Sequence, residues 1–307
     1  MPADILVGAP FCVWLRHFTQ NSTPTKMQLH SALAIEGMHL KNIDKKFVLW
    51  LDLLGFKQFL LDEERVKSEW PVIEDELNQM IEVSQKQAKT IGFDLATNVI
   101  SDTVISNITP ASNSALTLLC LVSCEMQAYF MRKGFLSRGV ISLGEIYSSK
   151  YSRISSFIGF PIVEAATLEA ELTSPVIITA PSVLNYILEN KDAIWKEELT
   201  SGTGDAVLHL NEMVYPIEAD FKTLDKSEVF FVAQIEYYID NLEKYLKGII
   251  SKKGNPPSVG ELTAIANKLS AAQQILAYVL KDNPDFKTDI LGLLDVFVEN
   301  VKRINKS

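Results

Sequence analysis

The feature that most constrains the fold is an uninterrupted apolar run, FVLWL at residues 47–51, which leads directly into Asp52 and then Gly55. A half-exposed strand alternates apolar and polar residues, whereas a strand covered on both faces is apolar throughout. We therefore expect a central strand that has other elements on both faces and an acidic residue at its end.

The segments that follow alternate between helix and strand patterns. Two β-like pieces, residues 95–100 and 103–108, flank Ser101 and Asp102 and predict a tight hairpin. Further patterns predict helices over 113–133, 159–172 and 181–188, and strands over 139–147 and 176–179. The order β-α-β-β-α-β-α-β-α predicts a ferredoxin-like α+β fold, in which helices pack on a central, mostly antiparallel sheet with the first strand in its middle.

The chain divides into three parts. Residues 1–44 show no sustained periodicity, which indicates an N-terminal arm, and residues 45–190 carry the α+β pattern. Residues 191–307 begin with a connection rich in glycine and acidic residues and continue with three long amphipathic patterns. The second of these begins at a capping box, Ser258 with Glu261. We therefore expect a C-terminal helical extension.

The composition excludes several classes of function. The net charge is -9 and the sequence pI about 5.1, so a nucleic-acid polymer is not an expected partner. Of the three cysteines, Cys120 and Cys124 lie one helical turn apart in an apolar run, which favours buried packing in a reducing cytoplasm over a disulfide. The longest apolar stretch, residues 115–122, is shorter than the roughly 20 residues that cross a bilayer, so no membrane partner is expected.

Other catalytic chemistries find little support in the residues. The four histidines are scattered without metal-ligand spacing, and no glycine-rich phosphate loop or nucleophile elbow occurs. Glu164 and Glu169 fall in a predicted helix, and the favoured interpretation is that they form its polar face.

Asp52 and Asp102 are the candidate catalytic residues. Taken singly, each has an ordinary explanation, because Asp52 could cap the next helix and Asp102 suits a hairpin turn. Taken together, two carboxylates from neighbouring strands could bind divalent metal ions against a nucleoside triphosphate. Hard oxygen ligands of this kind suit Mg²⁺ or Mn²⁺.

Four segments occur in order along residues 46–180: LWLDLLGFKQF, VISDTVISNI, RGVISLGEIY and GFPIVEAATLEAEL. Together they resemble the catalytic domain of class III nucleotide cyclases, and the spacing inside each segment agrees with that family. The resemblance implies a nucleotide-cyclase-like domain over residues 45–190. It also implies a metal-dependent nucleotidyl cyclase, which forms a cyclic nucleoside monophosphate and pyrophosphate from a nucleoside triphosphate in a head-to-tail homodimer.

The resemblance also assigns roles to single residues. Asp52 and Asp102 correspond to the two ligands of a pair of Mg²⁺ or Mn²⁺ ions. Asn98 and Ser156 occupy the positions that recognise the base, where both side chains could bond several bases. The implied phosphate cradle, formed mainly by backbone amides, consists of Leu53, Leu54, Gly55, Phe56 and Lys57.

Two positions depart from the family pattern. Val163 and Thr167 stand where the family has an Asn and an Arg that orient the ribose and stabilise the transition state. Arg138, Lys150 and Arg153 are candidate substitutes, although exposed loop or strand-edge positions are the favoured interpretation for each. The alternative function is a catalytically impaired, nucleotide-binding regulatory module, and a third is an interaction protein in which both aspartates only cap and turn.

A subgroup is also suggested by the base-recognition positions. Bacterial cyclase-like proteins of antiphage signalling, which include the pyrimidine cyclases, similarly depart from the purine-specific residues. The chain resembles that group in this respect.

Overall fold

The protein forms one large sheet and a smaller hairpin in the computed structural model, which describes residues 42–151, 154–194, 199–200, 207–221, 224–251, 257–283 and 289–305. The strands are β1 (Asn42–Leu54), β2 (Asp94–Ile100), β3 (Thr103–Thr109), β4 (Leu136–Tyr151), β5 (Ile154–Gly159), β6 (Ile177–Thr179), β7 (Leu199–Thr200), β8 (Val207–Leu208), β9 (Val214–Phe221) and β10 (Leu224–Val232). The large sheet has the order β2-β3-β1-β4-β6-β10-β9, and β5 pairs with β4 off this path. Its pairs are antiparallel except for β4 with β6.

Helices pack on both faces of this sheet. They are α1 (Phe56–Leu60), α2 (Glu63–Thr90), α3 (Asn113–Arg132), α4 (Phe160–Glu171), α5 (Pro181–Glu189), α6 (Lys191–Ile194), α7 (Ile235–Ser251), α8 (Val259–Asp282) and α9 (Ile290–Ile304). Local signals fix several starts: Asp62 caps α2 and Ser112 caps α3 through bonds to backbone amides. The predicted capping box of Ser258 and Glu261 is present at α8.

The two faces of the sheet belong to two apolar clusters, here called the first core and the second core. Along β1, Leu49, Leu51 and Leu53 point into the first core, which α2 and α3 complete. Trp50 and Leu54 pack against the second core, which contains residues of α4, α7, α8 and α9. Both faces of β1 are therefore covered, as its apolar run predicts.

The predicted fold class is confirmed, because β1 lies between β3 and β4 and the hairpin, strands and helices before residue 190 occur in the predicted order. The sheet does not end at residue 190, however. β10 pairs with β6 and β9 pairs with β10, so residues of the predicted connection extend the sheet. The arm predicted for residues 1–44 lies outside the described residues as far as residue 41.

One described helix, α3, is long and apolar enough to span a bilayer. Most of that helix is buried inside the fold, and Cys120 and Cys124 lie on it as free, buried thiols. Their predicted role in packing is confirmed, because both belong to the first core.

Candidate functional site

The β1–β3 ladder brings Asp52 and Asp102 side by side. Asp52 is paired with Thr103, and the amide of Leu53 donates to the carbonyl oxygen of Asp102 at 2.8 Å. Ser101, at a φ of 58°, turns the β2–β3 hairpin so that Asp102 reaches the end of β1. Burial raises the pKa of Asp52, and the negative charge of Asp102 raises it further. The two carboxylates are therefore close enough to repel each other.

Arg138 lies directly opposite Asp52 in the β1–β4 register. Its Nε is 3.7 Å from Oδ2 of Asp52 and also forms an ion pair with Oε1 of Glu169. Its Nη1 donates to the carbonyl oxygen of Leu172, which follows α4. The guanidinium therefore joins β1, β4 and α4 at one point, and the interpretation of Arg138 as an exposed base is wrong.

Glu169 is a buried member of the same cluster, with 8% of its surface exposed. Burial raises its pKa to about 7, although Arg138 acts in the opposite direction. Glu164 of the same helix is half-buried, and its Oε2 accepts a 2.6 Å bond from the hydroxyl of Ser182. The favoured interpretation of both glutamates as a polar helix face is therefore wrong, because each is turned towards a partner inside the fold.

Lys268 of α8 completes the charged cluster. Its positive charge lowers the pKa of Asp52, while burial and the charge of Arg138 lower the pKa of Lys268 itself. The C-terminal helical layer thus contributes a positive charge that acts on the predicted catalytic aspartate.

The predicted phosphate cradle is only partly available. The amide of Leu53 already donates a hydrogen bond to the carbonyl oxygen of Asp102, so it is not available to a phosphate group. Leu54 is half-buried against the second core. Gly55 has a φ of 87°, a left-handed conformation that glycine adopts readily because it has no Cβ. Lys57 is exposed on α1.

The side chain of Phe56 belongs to the core. It is 3% exposed and contacts three other aromatic rings, those of Phe59, Trp70 and Phe135. Its predicted contribution to substrate binding is therefore limited to its backbone.

The two base-recognition candidates lie at different levels of the sheet. Asn98 is half-buried and pairs with Ile105, which is opposite Trp50, and Trp50 is opposite Val140. Ser156 pairs with Ser149, nine residues further along β4 than Val140. The register of a single chain therefore does not bring these two positions together.

The helix positions that depart from the family pattern supply no charge. The hydroxyl of Thr167 donates to the carbonyl oxygen of Val163 at 2.7 Å and is thus engaged within α4. Of the other candidate bases, Lys150 lies in β4 opposite Ser155, and Arg153 lies outside the described residues.

The donor set at Asp52 and Asp102 fits a hard divalent cation. Among the described residues no three His, Cys, Asp or Glu side chains form a group that could hold a metal ion, so a cation here would draw on this pair and on substrate oxygens. Burial raises the pKa of Asp52 and the charge of Asp102 raises it further, and a cation bound to the two carboxylates would offset both effects. Arg138 is the competing cation, because it already contacts Asp52.

Arg138 and its ion-pair partner Glu169 have a recognisable signal in the sequence. Arg138 stands between Leu136 and Val140 in a strand whose alternate residues enter the second core. Glu169 stands one residue after Leu168 and three before Leu172 on the apolar stripe of α4. A charged residue on an apolar stripe indicates a buried partner of opposite charge.

No family model matches the chain, and no curated protein matches it. Solved structures do resemble it. The adenylyl cyclase CyaB from P. aeruginosa is 15% identical, with a TM-score of 0.40 over 62% of this chain and 94% of that one. The guanylyl cyclase domain of the RhoGC fusion protein from the aquatic fungus Blastocladiella emersonii is 12% identical, with a TM-score of 0.41 over 62% and 96%. An adenylate/guanylate cyclase/hydrolase from Silicibacter pomeroyi is 16% identical, with a TM-score of 0.38 over 62% and 98%.

Proposed function

We propose that this chain is a metal-dependent nucleotidyl cyclase that converts a nucleoside triphosphate into a cyclic nucleoside monophosphate and pyrophosphate. The observation that carries the proposal is the meeting of Asp52 and Asp102 at the end of β1, where Leu53 is bonded to Asp102. The resemblance of the four sequence motifs to class III cyclases supports the proposal, because it implies that the same two residues are metal ligands.

In this reaction the ribose 3′-oxygen attacks the α-phosphorus. The bond from that phosphorus to the oxygen bridging to the β-phosphate breaks, pyrophosphate leaves with the electron pair, and the hydroxyl proton passes to solvent. Bound Mg²⁺ or Mn²⁺ would acidify the hydroxyl and neutralise the leaving group. Asp52 and Asp102 would hold the ions, and the partial burial of Asp52 would strengthen these electrostatic contacts by excluding water.

The test is to replace each aspartate by its neutral isostere. Asp52→Asn and Asp102→Asn should each lower cyclic product formation by about a hundredfold or more, because each removes charge stabilisation at the reacting phosphate. Product is measured by chromatography after incubation with Mg²⁺ or Mn²⁺ and each nucleoside triphosphate. Asp94→Asn, at an exposed acid of β2, is the control and should retain activity. Full activity in both site variants, or no product from the native chain with any triphosphate, would refute the proposal.

The motif resemblance supports two further parts of the proposal. It favours a head-to-tail homodimer, which sedimentation at several concentrations would detect. It also favours a role in bacterial antiphage signalling, and a pyrimidine cyclic nucleotide in the product assay would support that assignment.

A second function is favoured by the contacts of Asp52. Its carboxylate already contacts Arg138, and Val163 and Thr167 add no charge. A nucleotide-binding regulatory module would therefore use the same site without turnover. Calorimetry separates the two functions, because triphosphate binding without cyclic product supports the module.

A further inference from the structure

Asp52 and Arg138 lie on the same face of the sheet, where they could form a direct ion pair. They are partners in the β1–β4 register. Side chains directly opposite each other on antiparallel strands have Cβ atoms about 4.5–5.5 Å apart, and opposite charges at such positions attract each other. Nε of Arg138 nevertheless lies 3.7 Å from Oδ2 of Asp52, which is too long for a hydrogen bond. The guanidinium is therefore beside Asp52 without being bonded to it.

The end of α4 holds the guanidinium instead. Oε1 of Glu169 forms an ion pair with the same Nε, and the carbonyl oxygen of Leu172 accepts a hydrogen bond from Nη1. Nε of Arg138 and Oε1 of Glu169 are both buried and have no hydrogen-bond partner in the described part of the chain. Their ion pair is thus the interaction that offsets the burial of both atoms. Two contacts join Arg138 to α4, and one longer contact joins it to Asp52.

This arrangement affects what else Asp52 can bind. A hard divalent cation is bound by carboxylate oxygens, and a guanidinium bonded to the same oxygens would compete with it. Arginine keeps its charge in proteins, so it can leave a carboxylate only by moving to another partner. Within the described residues, the ion pairs of Arg138 are with Asp52 and Glu169 alone. Without the charge of Glu169, Asp52 would be its remaining carboxylate partner.

We propose that Glu169 is a positioning residue, which holds the guanidinium of Arg138 against α4 and so keeps a carboxylate oxygen of Asp52 available to a divalent cation. Glu169 acts through Arg138 and does not itself bind the metal ion. This inference rests on the metal site of the proposed function.

The test measures binding of Mn²⁺ alone to the full chain, by the loss of the electron paramagnetic resonance signal of the free ion. Glu169→Gln should raise the Kd for Mn²⁺ by about tenfold or more, because Arg138 then pairs with Asp52 through a charge-assisted contact. Glu164→Gln makes the same substitution on the same helix, at a carboxylate bonded to Ser182, and should bind Mn²⁺ like the native chain. Equal affinity of the two variants would overturn the inference and leave the cyclase proposal intact.

A double-mutant cycle shows whether Glu169 acts through Arg138. Loss of the charge of Glu169 could also weaken Mn²⁺ binding directly, and that loss would be the same with or without Arg138. Glu169→Gln should instead have little effect once Arg138→Met is present, so the double variant should bind Mn²⁺ at least as tightly as the native chain. A double variant as weak as Glu169→Gln alone would overturn the inference.

Folding is checked by thermal unfolding of the metal-free chains. The double variant removes both charges of the buried pair and remains informative if Glu169→Gln does not fold. Its tight binding of Mn²⁺ supports the inference, and binding weaker than that of the native chain contradicts it. A native chain that binds no Mn²⁺ also overturns the inference, whereas the cyclase proposal is decided separately by the formation of cyclic product.

Discussion

At the scale of single residues, Arg138 determines how three acidic groups coexist in a small space. Asp52, Asp102 and Glu169 all act on one another electrostatically, and Arg138 contacts two of them. A buried carboxylate without a cation is costly, so the local fold depends on this guanidinium.

Arg138→Met should lower the free energy of unfolding by about 3 kcal/mol, because it leaves Glu169 and Asp52 without their shared partner. Urea unfolding measures the change. Lys67→Met, in an exposed pair with Glu63, is the control and should have no measurable effect. Adding Glu169→Gln to Arg138→Met should recover most of the loss. An equally unstable double variant would show that uncompensated charge is not the cause.

Gly159 is required because a side chain would not fit at this position, and not because of its backbone conformation. Its φ is 177°, an extended value, but a Cβ there would overlap the carbonyl oxygen of Glu145. Gly159→Ala should therefore lower the free energy of unfolding by about 2–3 kcal/mol through overpacking. A Cβ at Gly248 would meet open space at an exposed position of α7, so Gly248→Ala should instead stabilise the protein by up to about 1 kcal/mol. Thermal and urea unfolding of both variants test this contrast, and equal effects would contradict it.

The meeting of Asp52 and Asp102 was predicted through the resemblance of the four motifs to class III cyclases. The local patterns alone predicted a buried strand before Asp52 and a hairpin at Asp102, but not that β1 and β3 pair. The burial of Glu169 and its ion pair with Arg138 were not predicted. Arg138 lies far from Glu169 in the chain, and the helical period that identifies a buried stripe does not say which opposite charge faces it.

At the scale of elements, β9 and β10 show where pattern analysis fails. β9 contains Pro216, which cannot donate a ladder bond and argues against a central strand. β9 is the last strand of the sheet, so its proline is tolerated at an edge. The apolar end of β10, residues 229–232, is the signal that could have identified a strand there.

Phe231 of β10 should prove essential for joining this extension to the rest of the fold. It is fully buried in the second core and pairs with Ile178 of β6. Phe231→Ala should lower the free energy of unfolding by about 3–5 kcal/mol. Phe160→Ala removes the same group from a side chain that is 48% exposed and should cost much less. Similar losses in urea unfolding would indicate that β10 is not packed as described.

At the scale of the whole molecule, the sheet separates two cores, and the charged cluster lies on the same side of the sheet as the second. The first core unites β1 with α2 and α3, and the second unites it with α4 and α7–α9. Because α8 packs on the face that presents Asp52, the integrity of the site should depend on the helical layer. The domain boundary predicted at residue 190 falls between β6 and β10, which pair in one sheet.

The helical layer and the sheet should therefore unfold together. Leu269 of α8 and Trp50 of β1 belong to or pack against the same core, whereas Leu77 of α2 lies in the first core on the opposite face. Native-state hydrogen exchange at increasing denaturant should show amides of α8, β1 and α2 converging on one opening free energy, because loss of α8 would expose the sheet face beneath it. Loss of protection in α8 at lower denaturant than in β1 would instead define the helices as a separate folding unit. The second core would then be complete only while that unit is docked on the sheet.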